Sequence, residues 1–279
     1  MTKLPQNKLN VKLIALDLDD TLLDNNGNIS NENVLALQKC AAQGIYVVLC
    51  SGRPEEGILP FVRRLNIAGE KTGRFLIAIN GCSVYDMHLR RQIYRKSVSS
   101  EILLKVNAEA AKLGLDTEVY SPDTIFYGKE TEWTLKDVLL CKIKGKVVEN
   151  YEKFLENDFP KMLVPGSPEK LSVLENKLKS ELGQDKVSVF LSKPFFLEIL
   201  PPSCGKGYAI EFLAEHLGIP MENTMAFGDS MNDESMIRQC GFGVAMNNAR
   251  TEIKECADFI TALDNNNSGV GDFLEKYVL

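Results

Sequence analysis

The sequence predicts an α/β fold: a mostly parallel sheet covered by helices and interrupted by an α+β insert. Three observations predict it. Strand-like and helix-like segments alternate at both ends of the chain. The strand-like segments there are apolar throughout, as strands covered on both faces are. The middle of the chain, from Ser83 to Pro194, changes to alternating strands mixed with helices. At 279 residues the chain has the length of two ordinary domains. The change of pattern places residues 1–82 and 195–279 in one sheet domain and residues 83–194 in the insert.

Taken in order, "VKLIALDLD" reads as a buried strand. "SNENVLALQKCAAQG" follows as a helix with a Ser/Asn start and a glycine stop at Gly44. "IYVVLCSGR" is a second strand, "PEEGILPFVRRLNI" a short helix, and "RFLIAIN" a third strand ending at Asn80 and Gly81. In the insert, "SVYDMHLRRQIYRKSV" reads as a hairpin and "SEILLKVNAEAAKLG" as a helix. "DTEVYS", "DTIFYG" and "VLLCKIKG" read as strands, "VENYEKFLENDF" and "SPEKLSVLENKLKSELG" as helices, and "KVSVFLS" and "FFLEIL" as late strands. The first pattern then returns: helix "KGYAIEFLAEHLGI", strand "TMAFGDS", helix "NDESMIRQC", strand "GFGVAMNNA", helix "TEIKECA", small strand "DFITA" and closing helix "GVGDFLEKYVL".

Composition narrows the function. A net charge of -6 argues against broad nucleic-acid binding, which needs clustered Lys and Arg. No apolar run reaches the length of a membrane span, and "MTKLPQNKLN" has no signal-like apolar stretch, so a cytoplasmic protein with no membrane partner is expected. Seven scattered cysteines without a C-x-x-C pair are expected to be reduced and mostly buried, and two histidines supply little for zinc or triad chemistry.

The polar groups gather where parallel sheets bind ligands, at the carboxyl ends of strands. Asp17 and Asp19 end the first strand at i and i+2. Ser51, Gly52 and Arg53 end the second, Asn80 ends the third, and Asp229, Asn232 and Asp233 follow "TMAFG". Lys206 stands in "SCGKG" at a helix start, where its ammonium and the free amides face one anion. Carboxylates without His or Cys favour a hard, oxygen-seeking cation such as Mg2+. These are the parts of a phosphoryl-transfer site. Asp17 is the candidate nucleophile and Asp19 the candidate acid/base, with Ser51 and Lys206 on the phosphoryl oxygens and Thr21 holding the loop. Asp20 and Asp24 are expected to cap or solvate that loop.

These residues carry a resemblance. "DLDDT" (Asp17 to Thr21), "SGR" (Ser51 to Arg53), "ING" (Ile79 to Gly81), Lys206 in "GKG", "GDSMND" (Gly228 to Asp233) and "GVAMNNA" (Gly243 to Ala249) make the chain similar to the haloacid dehalogenase superfamily. In particular, it resembles the Cof-type phosphatases with a large α/β cap. The resemblance implies a Rossmann-like core and an inserted α+β cap that selects the substrate. It implies Mg2+ held by Asp17, the Asp19 backbone carbonyl and Asp229. Asp17 would be the nucleophile, Asp19 the general acid/base, and Ser51, Gly52, Asn80 and Lys206 the phosphate-binding groups, with Thr21, Asn232 and Asp233 in support. The implied substrates are small phosphorylated metabolites, often sugar phosphates, met by a monomer or homodimer.

Two positions depart from the pattern. Asp20 stands where many members have glycine, and Asn247 stands where glycine is frequent, so a left-handed turn is expected at Asn247. A phosphomutase would use the same aspartyl-phosphate with another acceptor, and a non-catalytic binding protein would keep the fold but lose the aspartates and lysine present here. Near the end, "DNNNSGVGDFLE" approaches calcium-loop spacing, but no long helix precedes it and a polar loop before the last helix is the better account.

Overall fold

The computed structural model describes residues 4–67, 71–183 and 185–279; residues 1–3 of the amino-terminal segment discussed above lie outside them. The chain divides into two compact units, one of residues 1–52, 58–94 and 205–279 and one of residues 53–57 and 95–204.

The first unit begins with β1 (Leu13–Leu16), whose four residues are all buried. A tight turn (Leu18–Leu22) leads to α1 (Asn31–Ala42), which starts where the Ser30 side chain accepts from the Asn33 amide. Then come β2 (Tyr46–Cys50), α2 (Glu55–Leu65), β3 (Phe75–Ala78), β4 (Ser83–Asp86) and β5 (Arg91–Arg95).

The second unit holds α3 (Ser100–Lys112), β6 (Glu118–Tyr120), β7 (Thr124–Tyr127), α4 (Glu132–Cys141), β8 (Lys144–Val147), α5 (Tyr151–Phe154), β9 (Met162–Pro165), α6 (Pro168–Glu181), β10 (Ser188–Lys193) and β11 (Phe196–Leu200). The chain returns to the first unit through α7 (Lys206–Leu217), β12 (Thr224–Gly228), α8 (Glu234–Gln239), β13 (Phe242–Ala245), α9 (Thr251–Cys256), β14 (Phe259–Ile260) and α10 (Gly269–Tyr277).

The first unit's sheet runs β14-β13-β12-β1-β2-β3-β4-β5. Pairing is parallel from β14 through β3 and turns antiparallel at β4. β1 lies in the middle, with Leu16 opposite Phe227 on one side and Leu49 on the other. The strands that carry Asp17, Ser51 and Asp229 are therefore neighbours whose carboxyl ends share one edge.

Three sequence expectations are corrected here. The hairpin after Gly81 was expected in the insert, but it joins the first unit's sheet, with Ala78 opposite Ser83. Residues 195–204 were expected in the core, but Phe196–Leu200 pairs with β9 and β10. The units thus change over at Tyr94/Arg95 and Cys204/Gly205. "VLLCKIKG" was expected as one strand, but Val138–Cys141 ends α4. A Thr131–Thr134 capping box starts that helix, and Lys142 at φ 55 ends it before β8.

In the second unit the sheet runs β10-β11-β9-β6-β7-β8. One face packs Val119, Met162, Val164, Leu197 and Ile199 against α3 and α6. The other face is charged and buried. Glu118 and Glu198 flank Leu163 on either side, so they project from the same face. Lys161 Nζ lies 3.0 Å from Glu198 Oε2 and 4.3 Å from the Tyr120 ring centre. The Tyr120 hydroxyl sits between Asp137 and Glu118, 3.3 Å from Glu118 Oε1.

Three carboxylates around one ammonium are too many charges to bury. Burial first, then the Asp137 carboxylate, raises the Glu118 carboxyl well above its usual range, with Lys161 opposing. The folded state therefore holds a proton that the unfolded chain gives up, and stability falls as pH rises above the ordinary glutamate pKa. In Glu118→Gln that loss disappears. Thermal unfolding from pH 5 to 8 should show the variant's midpoint gaining steadily on the wild type.

Candidate active site

The site is built where β1, β2, β3 and β12 end. Asp17 follows β1 directly and its amide donates to Phe227 O at 3.1 Å, which ties the first aspartate to the neighbouring strand. Asp17 is 6% exposed, Lys206 and Asp233 are fully buried. The Lys206 ammonium donates to Asp17 Oδ1 and to Asp233 Oδ1, the latter at 2.6 Å. Asp233 Oδ2 accepts from the amides of Asp229 at 2.9 Å and Ser230 at 3.0 Å. Both oxygens of Asp233 are thus occupied, and its position depends on glycine: a Cβ at Gly228 would lie 2.5 Å from Asp233 Cβ.

Lys206 arrives by a close backbone approach. It opens α7, and a Cβ at Gly81 would meet Gly205 O at 2.2 Å and Lys206 N at 2.9 Å. Gly81 itself has φ +89 and completes a run with Ile79 and Asn80, both at φ 52. Positive φ at a β-branched residue is a strained conformation of the kind that gathers at functional sites. The turn is held by the Asn80 amide, which donates to Ser51 O at 2.9 Å, and by Asn232 Nδ2, which donates to Asn80 Oδ1 at 3.1 Å. A Cβ at Gly52 would stand 3.0 Å from Asn80 Oδ1, so Ser51, Gly52, Asn80 and Asn232 form one packed group.

Asp17, Asp229 and Asp233 each offer an oxygen, all within 4.8 Å of one another. Thr21 Oγ1 donates to Asp229 Oδ1 at 2.9 Å and couples the β1 loop to this cluster. The Asp19 side chain is not part of it. The donor set is all carboxylate, which fits a hard divalent cation such as Mg2+.

The electrostatics agree with that fit. Burial, then Asp233, raises Asp17 well above the carboxylate range although Lys206 pulls the other way. Burial, then Asp233, pushes Asp229 up to about 7, and the Thr21 hydroxyl opposes. Burial works against the Lys206 ammonium, but Asp17 and Asp233 outweigh it and hold it charged. Three carboxylates with one ammonium leave surplus negative charge, which a divalent cation would neutralise.

One turn expectation is corrected. The left-handed conformation expected at Asn247 is not there, since Asn247 has no positive φ; Asp20, in another loop, has φ 62. Asn247 is held in another way: its amide donates to Thr261 Oγ1 at 2.9 Å and its Nδ2 to Ala262 O at 3.0 Å. Asp24 does turn the loop, its Oδ1 accepting from the Asn26 and Asn28 amides, both at 2.9 Å. Sequence reasoning missed Asn248 and Asn265. The "NNA" and "NNN" runs were visible, but neutral amides give no charge pattern from which to read a partner. None of the seven cysteines is in a disulfide, and five are buried, with Cys204 and Cys256 partly exposed. No helix among the described residues is long and apolar enough to cross a membrane.

Gly81→Ala should cost about 2–3 kcal/mol of stability and displace Lys206, since its methyl meets backbone rather than a movable side chain. Urea unfolding measures this. Because Asp229 binds a proton up to about pH 7, Mg2+ binding should release protons at pH 6 and tighten as pH rises through 7. Calorimetry in buffers of different ionisation enthalpy measures both.

Residues 14–274 match the family described as haloacid dehalogenase-like hydrolase. The crystal structure of a haloacid dehalogenase-like hydrolase from Bacteroides thetaiotaomicron is 32% identical and aligns over 95% of this chain and 99% of its own, with a TM-score of 0.87. The phosphatase YwpJ of Bacillus subtilis (strain 168) is 31% identical over 296 residues, 95% of this chain and 99% of its own. From the same organism, the 5-amino-6-(5-phospho-D-ribitylamino)uracil phosphatase YcsE is 28% identical over 278 residues, 97% of each chain.

Proposed function

Because the chain belongs to the haloacid dehalogenase-like hydrolases, we propose that it is a Mg2+-dependent phosphatase of small phosphorylated metabolites, working through an aspartyl-phosphate on Asp17. One observation carries the reading: Asp17 sits between a buried ammonium and a carboxylate cluster suited to a divalent cation. Sugar phosphates or similar phosphomonoesters are the proposed substrates. The substrate for which YcsE is named, a phosphate ester on a ribityl chain, is of that chemical kind.

Bound Mg2+, held by Asp17, the Asp19 carbonyl and Asp229, would neutralise phosphoryl oxygens and so favour attack by an anion. Lys206 does the same from the protein side, and Ser51, Gly52 and Asn80 bind the remaining oxygens. An Asp17 carboxylate oxygen forms a bond to phosphorus while the bond to the ester oxygen breaks, and protonated Asp19 gives its proton to the leaving alkoxide. Asp19 then takes a proton from water, whose oxygen attacks the aspartyl-phosphate. Inorganic phosphate leaves and the Asp17 carboxylate is restored. Asp233 keeps Lys206 aimed at Asp17, Thr21 keeps Asp229 beside it, and Asn232 steadies Asn80.

We assign substrate selection to the inserted unit, and propose a cytoplasmic monomer or homodimer without nucleic-acid or membrane partners. A phosphomutase remains the second reading, since the core does not fix the acceptor. A panel of phosphorylated metabolites assayed for Mg2+-dependent phosphate release separates the two, because a mutase would return the phosphoryl group to a substrate hydroxyl. Asp17→Asn should keep the fold, read by circular dichroism, and reduce turnover by at least about 10³-fold, since the attacking oxygen anion is gone. Near-normal turnover would remove Asp17 from the nucleophile's role.

A further inference from the structure

The turn after β1 holds a non-glycine residue in the left-handed region, Asp20 at φ 62 and ψ 6. Such a conformation costs an L-residue enough to shift a local equilibrium about tenfold or more, so a lone turn would tend to relax. The φ of Asp20 and the ψ of Asp19, at 127, bracket one peptide plane, and that plane carries the Asp19 carbonyl oxygen. Whatever fixes Asp20 therefore fixes where the Asp19 carbonyl points.

One side chain does this from a distance in sequence. Asn248 Nδ2 donates to Asp20 O at 2.7 Å. Asn248 is itself oriented, because its Oδ1 accepts from the Asn265 amide at 3.1 Å. Asn265 in turn donates from Nδ2 to Leu23 O at 2.9 Å, so both ends of the turn are tied to the same support. The loop that carries Asn248 also holds the other acidic loop: the Arg250 amide donates to Asp229 O at 3.0 Å and the Met246 amide to Gly228 O at 3.0 Å. The segment from Met246 to Arg250 thus fixes the backbones of Asp20 and Asp229 in one frame.

We propose that Asn248 is a positioning residue: by pinning the Asp20 carbonyl it keeps the turn left-handed, and so keeps the Asp19 carbonyl and side chain in register with Asp229. The inference rests on the phosphatase reading for its kinetic consequence. Its effect on Mg2+ binding is measured without turnover.

The test uses Asn248→Ala, Asn248→Asp, Asp20→Gly and the double variant Asp20→Gly/Asn248→Ala. Asn248→Asp keeps the acceptor for the Asn265 amide but loses the donor. Glycine at position 20 adopts positive φ without the side-chain penalty. Asn248→Ala and Asn248→Asp should each weaken Mg2+ binding by calorimetry about 5- to 10-fold. Both should lower kcat for p-nitrophenyl phosphate by a similar factor, with KM and the unfolding midpoint little changed. In the Asp20→Gly background, adding Asn248→Ala should cost less than about threefold in either quantity. The inference is overturned if Asn248→Asp binds Mg2+ like the wild type, or if the Asn248→Ala loss is as large in the Asp20→Gly background as in the wild type. If Mg2+ binding follows the expected pattern while no variant, nor the wild type, releases phosphate, the positioning role stands and the phosphatase reading fails.

Discussion

The Lys206 ammonium lies fully buried between Asp17 and Asp233, and the rest of the site is arranged around that fact. Burying a cation costs several kcal/mol, which is recovered only when close carboxylates surround it. Those carboxylates must in turn be held. Asp233 is fixed by two backbone amides on its second oxygen, and Asp17 by its place directly after a central strand. The ion group also explains the glycines. Gly81 lets the start of α7 approach the end of β3, and Gly228 makes room for the Asp233 side chain.

The same arrangement is unbalanced in charge, and the imbalance is chemically useful. Burial, and after it the Asp233 carboxylate, raises the Asp17 carboxyl well above its usual range although Lys206 opposes. A divalent cation would reverse that bias, and on the proposed reading the ion that completes the site would also free Asp17 to attack. The charged face of the second unit shows the contrasting solution. There Lys161 answers Glu198, and Glu118 keeps a proton, without a cluster of oxygens close enough for a cation among the described residues.

Much of the site was legible in the sequence because charge and position are both written there. Asp17, Ser51, Asn80, Lys206, Asp229 and Asp233 each follow an apolar run or open a helix, and a parallel sheet brings such ends to one edge. What stayed hidden has physical reasons. The hairpin at residues 83–94 announces strands, but a local pattern does not say which sheet accepts them; the pairing of Ala78 with Ser83 does. A left-handed residue was expected at Asn247, which has no positive φ, and none was expected at Asp20, which has φ 62 and is held by an amide more than two hundred residues away. Long-range hydrogen bonds between neutral groups leave no periodicity to read.

The first unit's sheet is closed by segments from opposite ends of the chain. Thr21 meets Asp229 across 208 positions and Lys206 meets Asp17 across 189. A polypeptide growing from its amino terminus lays down β1, β2 and β3 long before β12 exists, so the edge of β1 that β12 will occupy stays bare while residues 95–204 are made. Such non-local pairing is slow to form. On the ribosome the nascent chain carries its acidic loop but neither the lysine nor the later aspartates, and hydrolytic competence arrives only once β12 and the loop after it have been made.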